Sequence, residues 1–191
     1  PAFGVESLNY LIKHHTCLAV VTQPDKPVGR KKVMTPSKIK EVALKEGLLC
    51  FQPKNVKTIE KDLKALKPDM IITAAFGQIL PQAILDIPKI ACLNLHASLL
   101  PKYRGAAPIQ HAIKNNDRET GVSLMEMHLK MDAGPVYGMK KIPINLRTSG
   151  ELFDALSHVA KECLEAYLDD IIQGTLKPLA QDESKATYAP K

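Results

Sequence analysis

An amide, an imidazole and a hydroxyl recur at every second position in the segment from Asn94 to Ser98. Alternate side chains of a strand point to the same face, so Asn94, His96 and Ser98 are predicted to share one face of a strand over 91–97. The amide and the protonatable imidazole could hold an oxygen that becomes negative, as a carbonyl oxygen does under nucleophilic attack. The spacing alone leaves this interpretation and a purely structural role equally open.

A carboxylate would complete such a site, because it could orient the imidazole and help to remove a proton from a nucleophile. Asp132 is the best candidate, since it lies in a bend over 130–135 that interrupts two strand-like runs. An aspartate in a bend usually hydrogen-bonds to its own backbone. From spacing alone, that structural role is the preferred interpretation.

The sequence lacks the signatures of several other chemistries. No two histidines have the spacing H-x-H or H-x-x-x-H, so no metal site is predicted. Neither G-x-G-x-x-G nor G-x-x-x-x-G-K-[ST] occurs, and Ser98 lacks the G-x-S-x-G context of a hydrolase nucleophile. Acyl transfer without a covalent intermediate is therefore the leading chemistry.

Composition restricts the class of protein. The chain has 191 residues, of which 45% are apolar, so we expect one domain with an ordinary core. Its four cysteines stand apart from one another, which predicts buried thiols in a reducing cytosol. No apolar run approaches the roughly 20 residues of a membrane span, so a cytoplasmic protein without membrane association is expected.

The positive charge is concentrated in one segment. The net charge is +6, and residues 26–40 contain no acidic residue at all. Their charged side chains are Lys26, Arg30, Lys31, Lys32, Lys38 and Lys40. Such a block indicates a polyanionic partner, although a basic surplus is also typical of a solvated surface.

Helix-like and strand-like segments alternate along the chain. Helices are predicted around 5–12, 39–44, 59–66 and 82–85, and strands over 17–21, 48–51, 70–75 and 91–97. The strands are apolar on both faces, which predicts an α/β fold with a Rossmann-like, mostly parallel sheet flanked by helices. A helix over 107–114, an antiparallel addition near 122–144, a long helix over 150–173 and an extended tail are expected to follow.

The run N-L-H-A-S-L-L-P at 94–101 continues into Y-R-G-A-A-P-I-Q at 103–110. Together with E-T-G-V at 119–122 and M-D-A-G at 131–134, it resembles the signature of the folate-dependent formyltransferase family. The segments T-Q-P-D-K-P at 22–27 and G-R-K-K at 29–32 are similar to the branch of that family that acts on initiator tRNA. The resemblance extends over nearly the whole chain.

The resemblance implies a catalytic trio and a folate site. Asn94 and His96 would stabilise the oxyanion, while Asp132 would hold His96 and assist proton removal. The formyl donor would be 10-formyltetrahydrofolate. Its site is expected to be lined by Ser98, Leu99, Leu100 and Pro101 and by the loop Phe76, Gly77, Gln78, Ile79 and Leu80.

The acceptor that the resemblance implies is the α-amino group of the methionine carried by initiator tRNA, for translation initiation. Arg30, Lys31 and Lys32 would contact the tRNA, and the protein is expected to be a monomer. Residues 1–178 would form the catalytic domain, with its first strand missing before Pro1. Residues 179–191 would be a linker towards an absent C-terminal β-barrel domain.

Two other functions stay open from the sequence. An enzyme that formylates phosphoribosylglycinamide shares the pattern of Asn, His and Asp. It would be expected to carry a glycine-rich phosphate loop near its start, and it would not need the basic residues of 29–32. A non-catalytic RNA-binding module would use the basic segment, and residues 94–98 would then only pack.

Overall fold

Helices and strands alternate in the structure, a computed structural model that describes residues 2–191. In chain order the elements are α1 (Val5–His14), β1 (Val20–Val21), β2 (Lys26–Val28), β3 (Val33–Thr35), α2 (Lys38–Lys45), β4 (Cys50–Phe51), α3 (Glu60–Leu66), β5 (Met70–Ala74), α4 (Gln82–Leu85), β6 (Ala91–His96), α5 (Pro108–Lys114), β7 (Glu119–Glu126), β8 (Val136–Pro143) and α6 (Ser149–Gln173). The predicted alternation is confirmed, although the strand expected over 17–21 is reduced to Val20–Val21.

The main sheet has the strand order β5-β6-β7-β8. β5 and β6 are parallel, whereas β7 and β8 are added in antiparallel fashion. A separate parallel pair joins β1 to β4. The predicted α/β class and its antiparallel addition near 122–144 are therefore confirmed.

Helix α6 packs against β7 and β8. It begins with a reciprocal capping box between Thr148 and Glu151, which satisfies two backbone N–H groups of the first turn. Its predicted apolar stripe is buried, and each fully buried leucine contributes roughly 1.5–3 kcal/mol. The buried members are Leu152, Leu156, Val159, Ala160, Cys163, Leu164, Leu168 and Ile171. Gly138 allows the close approach of β8, since a Cβ there would lie 2.4 Å from Cζ of Tyr167.

The basic segment forms a β-hairpin that the sequence pattern does not predict. β2 and β3 pair in antiparallel fashion, and the turn between them is closed by Lys32 N–H donating to Gly29 O at 3.1 Å. The turn needs left-handed backbone at Gly29 and Lys32, with φ of 73° and 48°. The sequence pattern missed the strands because both are exposed and so lack apolar alternation.

The tail after α6 is extended, as predicted, and lies along the domain. Val136 and Leu179 exchange backbone hydrogen bonds of 2.8 Å in both directions. Further on, Ala189 is buried, and its N–H donates to Arg104 O at 2.7 Å. Residues assigned to a linker from the sequence thus pack on the preceding part of the described chain, while the further domain itself stays a prediction.

An apolar cavity of about 680 Å³ lies between β1 and β5. Val20 and Val21 lie on one side of it and Met70–Ala74 on the other. Among the described strands, β1 pairs only with β4 and β5 only with β6, so each strand has one unpaired edge. The strand expected before Pro1 stays a prediction.

The four cysteines are free thiols. Cys92 and Cys163 are buried, and burial raises the pKa of each to about 12, whereas Cys17 and Cys50 are only half-buried. Within residues 2–191, no helix has the length and apolarity needed to cross a membrane.

Candidate active site

The predicted site residues gather where β5 and β6 end. The two strands are parallel with Thr73 opposite Asn94, so the loops that follow them leave the sheet at the same edge. Ligands of open α/β sheets bind at this carboxyl edge of the strands. Asn94 and His96 therefore stand where a substrate would be received.

His96 and Asp132 face each other although they lie far apart in the chain. Nδ1 of His96 is 3.7 Å from Oδ2 of Asp132, and the two side chains are only 7% and 15% exposed. The other ring nitrogen, Nε2, lies 2.8 Å from the carbonyl oxygen of Tyr103. A carbonyl can only accept, so Nε2 carries a hydrogen. A second proton on Nδ1 would give a cation that is paired with the carboxylate.

Asp132 is oriented by a distant backbone group and does not bond to its own turn. The N–H of Gly105 donates to its Oδ2 at 2.8 Å. Its backbone is left-handed, with φ of 50°, a conformation that aspartate tolerates better than most residues. The preferred interpretation from spacing, a turn aspartate bonded to neighbouring backbone, is therefore corrected.

The Asn94 amide is aligned by Thr73 on the neighbouring strand. Oγ1 of Thr73 donates to Oδ1 of Asn94 at 2.8 Å. Oδ1 is thus occupied, and within the described chain Nδ2 makes no hydrogen bond to protein. The amide therefore presents N–H donors, which is the polarity that a developing oxyanion requires.

Replacing Thr73 with valine is expected to lower kcat of the reaction at this site about tenfold. The reason is that the amide of Asn94 would lose the group that sets its orientation. Serine at the same position keeps the hydroxyl and should stay within about twofold of the wild type. Steady-state rates of both variants, with melting curves to confirm folding, test this. Equal rates for the valine variant and the wild type would contradict it.

Ser98 is not part of the strand face predicted for it. β6 ends at His96, and the N–H of Ser98 turns back to donate to the carbonyl of His96 at 2.9 Å. Ser98 is completely buried, and its hydroxyl donates to the carbonyl of Lys102. The alternation stops because the strand stops, so Ser98 shapes the turn. Of the other residues in this turn, Leu100 is buried, while Leu99 and Pro101 are partly exposed.

The loop predicted to face the folate follows β5. Its backbone is set by Gln78, whose amide accepts from Val56 N–H at 2.8 Å and donates to Pro53 O at 3.1 Å. Leu80 is buried, Phe76 is partly buried, and Ile79 is 76% exposed. Gly77 is exposed and has a φ of 82°. The loop therefore offers Phe76, Gly77 and Ile79 to a ligand and uses Gln78 for its own support.

Two groups can be distinguished among the basic residues of 26–40, one at the start of α2 and one at the turn of the hairpin. Lys38 pairs with Glu41 at 2.9 Å and Lys40 with Asp25 at 2.8 Å, so these cations are partly neutralised. Arg30, Lys31 and Lys32 are exposed at the turn and form no ion pair within residues 2–191. Just before the hairpin, Gln23 Nε2 donates to Phe76 O at 2.7 Å. The base of the hairpin thus adjoins the loop after β5.

Comparison with known proteins shows the family to which the chain belongs. A family model described as Formyl transferase matches residues 5–168. The chain belongs to the formyl transferase family. The methionyl-tRNA formyltransferase of Enterococcus faecalis is 49% identical over 195 residues, which cover 100% of this chain and 62% of that relative. This formyl transferase chain therefore spans less than two thirds of the relative's length.

Solved structures share the formyl transferase fold. Phosphoribosylglycinamide formyltransferase from Anaplasma phagocytophilum superposes with a TM-score of 0.77 at 19% identity, over 100% of this chain and 94% of that one. An N-formyltransferase from Helicobacter canadensis, in complex with folinic acid and dTDP-3-aminofucose, has a TM-score of 0.76 at 21% identity, over 99% and 67% of the two chains. At these identities the likeness shows the fold alone.

Sequence reasoning missed three residues of this candidate site. Thr73 aligns Asn94, Gly105 orients Asp132, and the Tyr103 carbonyl binds His96. Thr73 gave one usable signal, a hydroxyl inside an otherwise apolar strand. Gly105 and Tyr103 gave none, because they act through the backbone. Among residues 2–191, no group of three His, Cys, Asp or Glu side chains could hold a metal ion.

Proposed function

We propose that the chain is the catalytic domain of a methionyl-tRNA formyltransferase. It would transfer the formyl group of 10-formyltetrahydrofolate to the α-amino group of methionine on initiator tRNA. The observation that carries the proposal is the convergence of Asn94, His96 and Asp132 at the carboxyl edge of β5 and β6. The 49% identity to a methionyl-tRNA formyltransferase supports the choice of acceptor.

Each side chain of the trio has a role that its contacts support. Asn94 presents its Nδ2 hydrogens to the formyl oxygen, which becomes negative when the amine attacks. His96 lies at the same edge with Nδ1 facing Asp132, and with a proton on both ring nitrogens it would add positive charge there. Asp132 compensates that charge and assists the removal of a proton. The amine nitrogen bonds to the formyl carbon, and the bond from that carbon to the folate nitrogen breaks. The amine loses one proton and the departing nitrogen gains one.

The residues present fit a folate as the formyl donor. The loops after β5 and β6 carry exposed or partly exposed apolar side chains, Phe76, Ile79 and Leu99 among them, on which a pteridine ring could pack. 10-Formyltetrahydrofolate supplies the activated formyl carbon when bound. A structural neighbour, the Helicobacter canadensis enzyme, was solved with folinic acid.

The basic hairpin suits the proposed tRNA substrate. Its three exposed cations point to a polyanionic partner, and the hydrogen bond from Gln23 to Phe76 ties its base to the proposed site. A tRNA held by the hairpin could therefore place its aminoacyl end near Asn94 and His96. We propose that the protein acts as a monomer in the cytoplasm.

The reaction can be tested with purified protein of full natural length. The protein is incubated with 10-formyltetrahydrofolate and either methionyl-tRNA or phosphoribosylglycinamide, and the products are identified by mass spectrometry. We expect formyl-methionine from the tRNA alone. Formylation of the ribonucleotide alone would overturn the proposal in favour of purine synthesis. Binding of tRNA without any formyl transfer would favour an RNA-binding module.

Replacing Arg30, Lys31 and Lys32 together with glutamine is expected to weaken tRNA binding and to flatten its salt dependence. Each lost phosphate contact removes about 0.7–0.9 from the slope of log K against log salt. Fluorescence binding titrations at several salt concentrations measure that slope. The rate of transfer at saturating tRNA should change little, because within residues 2–191 none of the three side chains forms a hydrogen bond or ion pair with Asn94, His96 or Asp132.

The matched control replaces Lys13, Lys45 and Lys67, three exposed lysines at or just after the ends of α1, α2 and α3. These helices end where the next strand begins, at the sheet edge opposite the site. The control removes the same charge, so its slope should stay near that of the wild type. Equal slopes for the two triple variants would refute the assignment of the hairpin.

A further inference from the structure

The tail after α6 is attached to the proposed site through a buried arginine. Arg104 is completely buried, and it lies in the loop that also contains Tyr103 and Gly105. Its Nε and Nη2 donate to Oε1 of Gln181 at 3.1 and 2.9 Å. Its Nη1 and Nη2 donate to the carboxylate of Glu183 at 3.1 and 2.7 Å. The buried charge is thus paired with two tail side chains.

The amide of Gln181 connects this arginine to the turn that carries Asp132. Its Nε2 donates to the carbonyl of Asp132 at 2.8 Å and to the carbonyl of Gly134 at 2.7 Å. The guanidinium can only donate and the carbonyls can only accept, so the orientation of the amide is fixed. One side chain therefore joins the loop of Arg104 to both sides of the Asp132 turn.

The tail also holds the second group that orients Asp132. Gly105, whose N–H binds Oδ2 of Asp132, packs against the backbone of Ala189, and a Cβ at Gly105 would lie 3.0 Å from Ala189 O. The neighbouring backbone is tied to the tail as well, because Arg104 N–H donates to Thr187 O at 2.9 Å. The tail thus contacts both the Asp132 turn and Gly105, the residue whose N–H binds the Asp132 carboxylate.

We propose that Gln181 is a positioning residue of the formyl-transfer site. It holds the Asp132 carboxylate towards His96, although it lies outside the residues that the family model matches. Residue 181 lies beyond residue 168, where the family match ends. The proposal rests on the proposed role of Asp132. Gln181 touches no reacting group, and it acts only through the backbone of Asp132 and Gly134.

Charge keeps the tail in this position. Glu183 accepts from Arg104 and also from Lys130 at 3.1 Å, so it joins the Arg104 loop to the loop before Asp132. The hydrogen bonds from Arg104, followed by those from Lys130, lower the pKa of Glu183 to about 2. Glu183 is therefore ionised at neutral pH, and the arginine to which Gln181 binds stays paired.

Replacing Gln181 with methionine keeps the length of the side chain and removes its four hydrogen bonds. We expect kcat for formyl transfer to fall about 10- to 100-fold, because a displaced carboxylate loses alignment with His96. KM for the folate should stay within about twofold, since Gln181 makes no hydrogen bond to the residues proposed to line the folate site, 76–80 and 98–101. Gln173→Met, at an exposed position at the end of α6, is the matched control and should behave like the wild type. Gln181→Glu should be as impaired as Gln181→Met, because it opposes carboxylate oxygens to two carbonyls.

A double variant separates positioning from simple destabilisation. If Gln181 acts through Asp132, adding Gln181→Met to Asp132→Asn should change kcat by less than about twofold further. The same loss in both backgrounds would overturn the proposal, as would wild-type kcat for Gln181→Met in folded protein. Melting curves for each variant establish that kcat is measured on folded protein. If Asp132→Asn itself is fully active, the proposed function of the site fails, and that outcome is distinct from a failure at Gln181 alone.

Discussion

Asp132→Asn is expected to lower kcat for formyl transfer at least about 100-fold while leaving the fold unchanged. Asparagine has nearly the same shape, and its carbonyl oxygen can still accept the hydrogen bond from Gly105. It has no negative charge, however, so a doubly protonated His96 would lose the carboxylate that faces it at 3.7 Å. The amide also cannot assist the removal of a proton from the attacking amine. The loss should therefore appear in kcat rather than in KM for either substrate.

Single-turnover rates with saturating folate and methionyl-tRNA measure this effect directly. Asp154→Asn, at an exposed position of α6, removes the same charge away from the site and should keep the wild-type rate. His96→Ala should show a loss of similar size. The double variant should be little worse than either single one, because residues that act as a unit are not additive. A loss below about threefold for Asp132→Asn would remove the carboxylate from the mechanism.

The parts of the site that follow local periodicity could be predicted from the sequence. Asn94 and His96 were placed on one face of a strand by alternation alone, and β6 extends over both residues. A helix is predicted around 39–44 from its apolar spacing, and α2 extends over Lys38–Lys45. The apolar stripe of α6 was likewise visible at helical spacing. In each case the signal is local, because a strand or helix repeats within a few residues.

The parts that depend on long-range packing could not be predicted from spacing. Asp132 lies 3.7 Å from His96 because β7 and β8 fold back beside β6, and nothing local to residues 130–135 indicates that geometry. The resemblance to a family supplied the assignment. Gln181 lies 49 residues after Asp132 in the chain, in the segment that the sequence assigns to a linker. The face predicted for Ser98 was wrong because periodicity does not show where a strand ends.

The close packing of Gly134 on β7 leads to a second large effect, in which Gly134→Ala disrupts the turn that carries Asp132. Gly134 is buried against β7, where a Cβ would lie 1.9 Å from the carbonyl oxygen of Glu126. That oxygen belongs to the backbone of β7 in the main sheet, so it cannot move aside as a flexible side chain would. The turn would have to shift instead, and this would disturb the hydrogen bonds that Gln181 donates to the carbonyls of Asp132 and Gly134.

We expect Gly134→Ala to lower the free energy of unfolding by about 3 kcal/mol, the upper range for an overpacked site. For a chain of this length, the melting temperature should fall by roughly 6–12 °C. Because the displaced turn carries Asp132, kcat of the folded fraction should fall as well, by at least about tenfold. Gly150→Ala is the matched control: a Cβ there meets nothing within 4 Å, and alanine favours the first turn of α6. Its melting temperature should equal or exceed that of the wild type. An unchanged melting temperature and kcat for Gly134→Ala would mean that the turn has room to move, and that Asp132 is not held by the packing of Gly134 on β7.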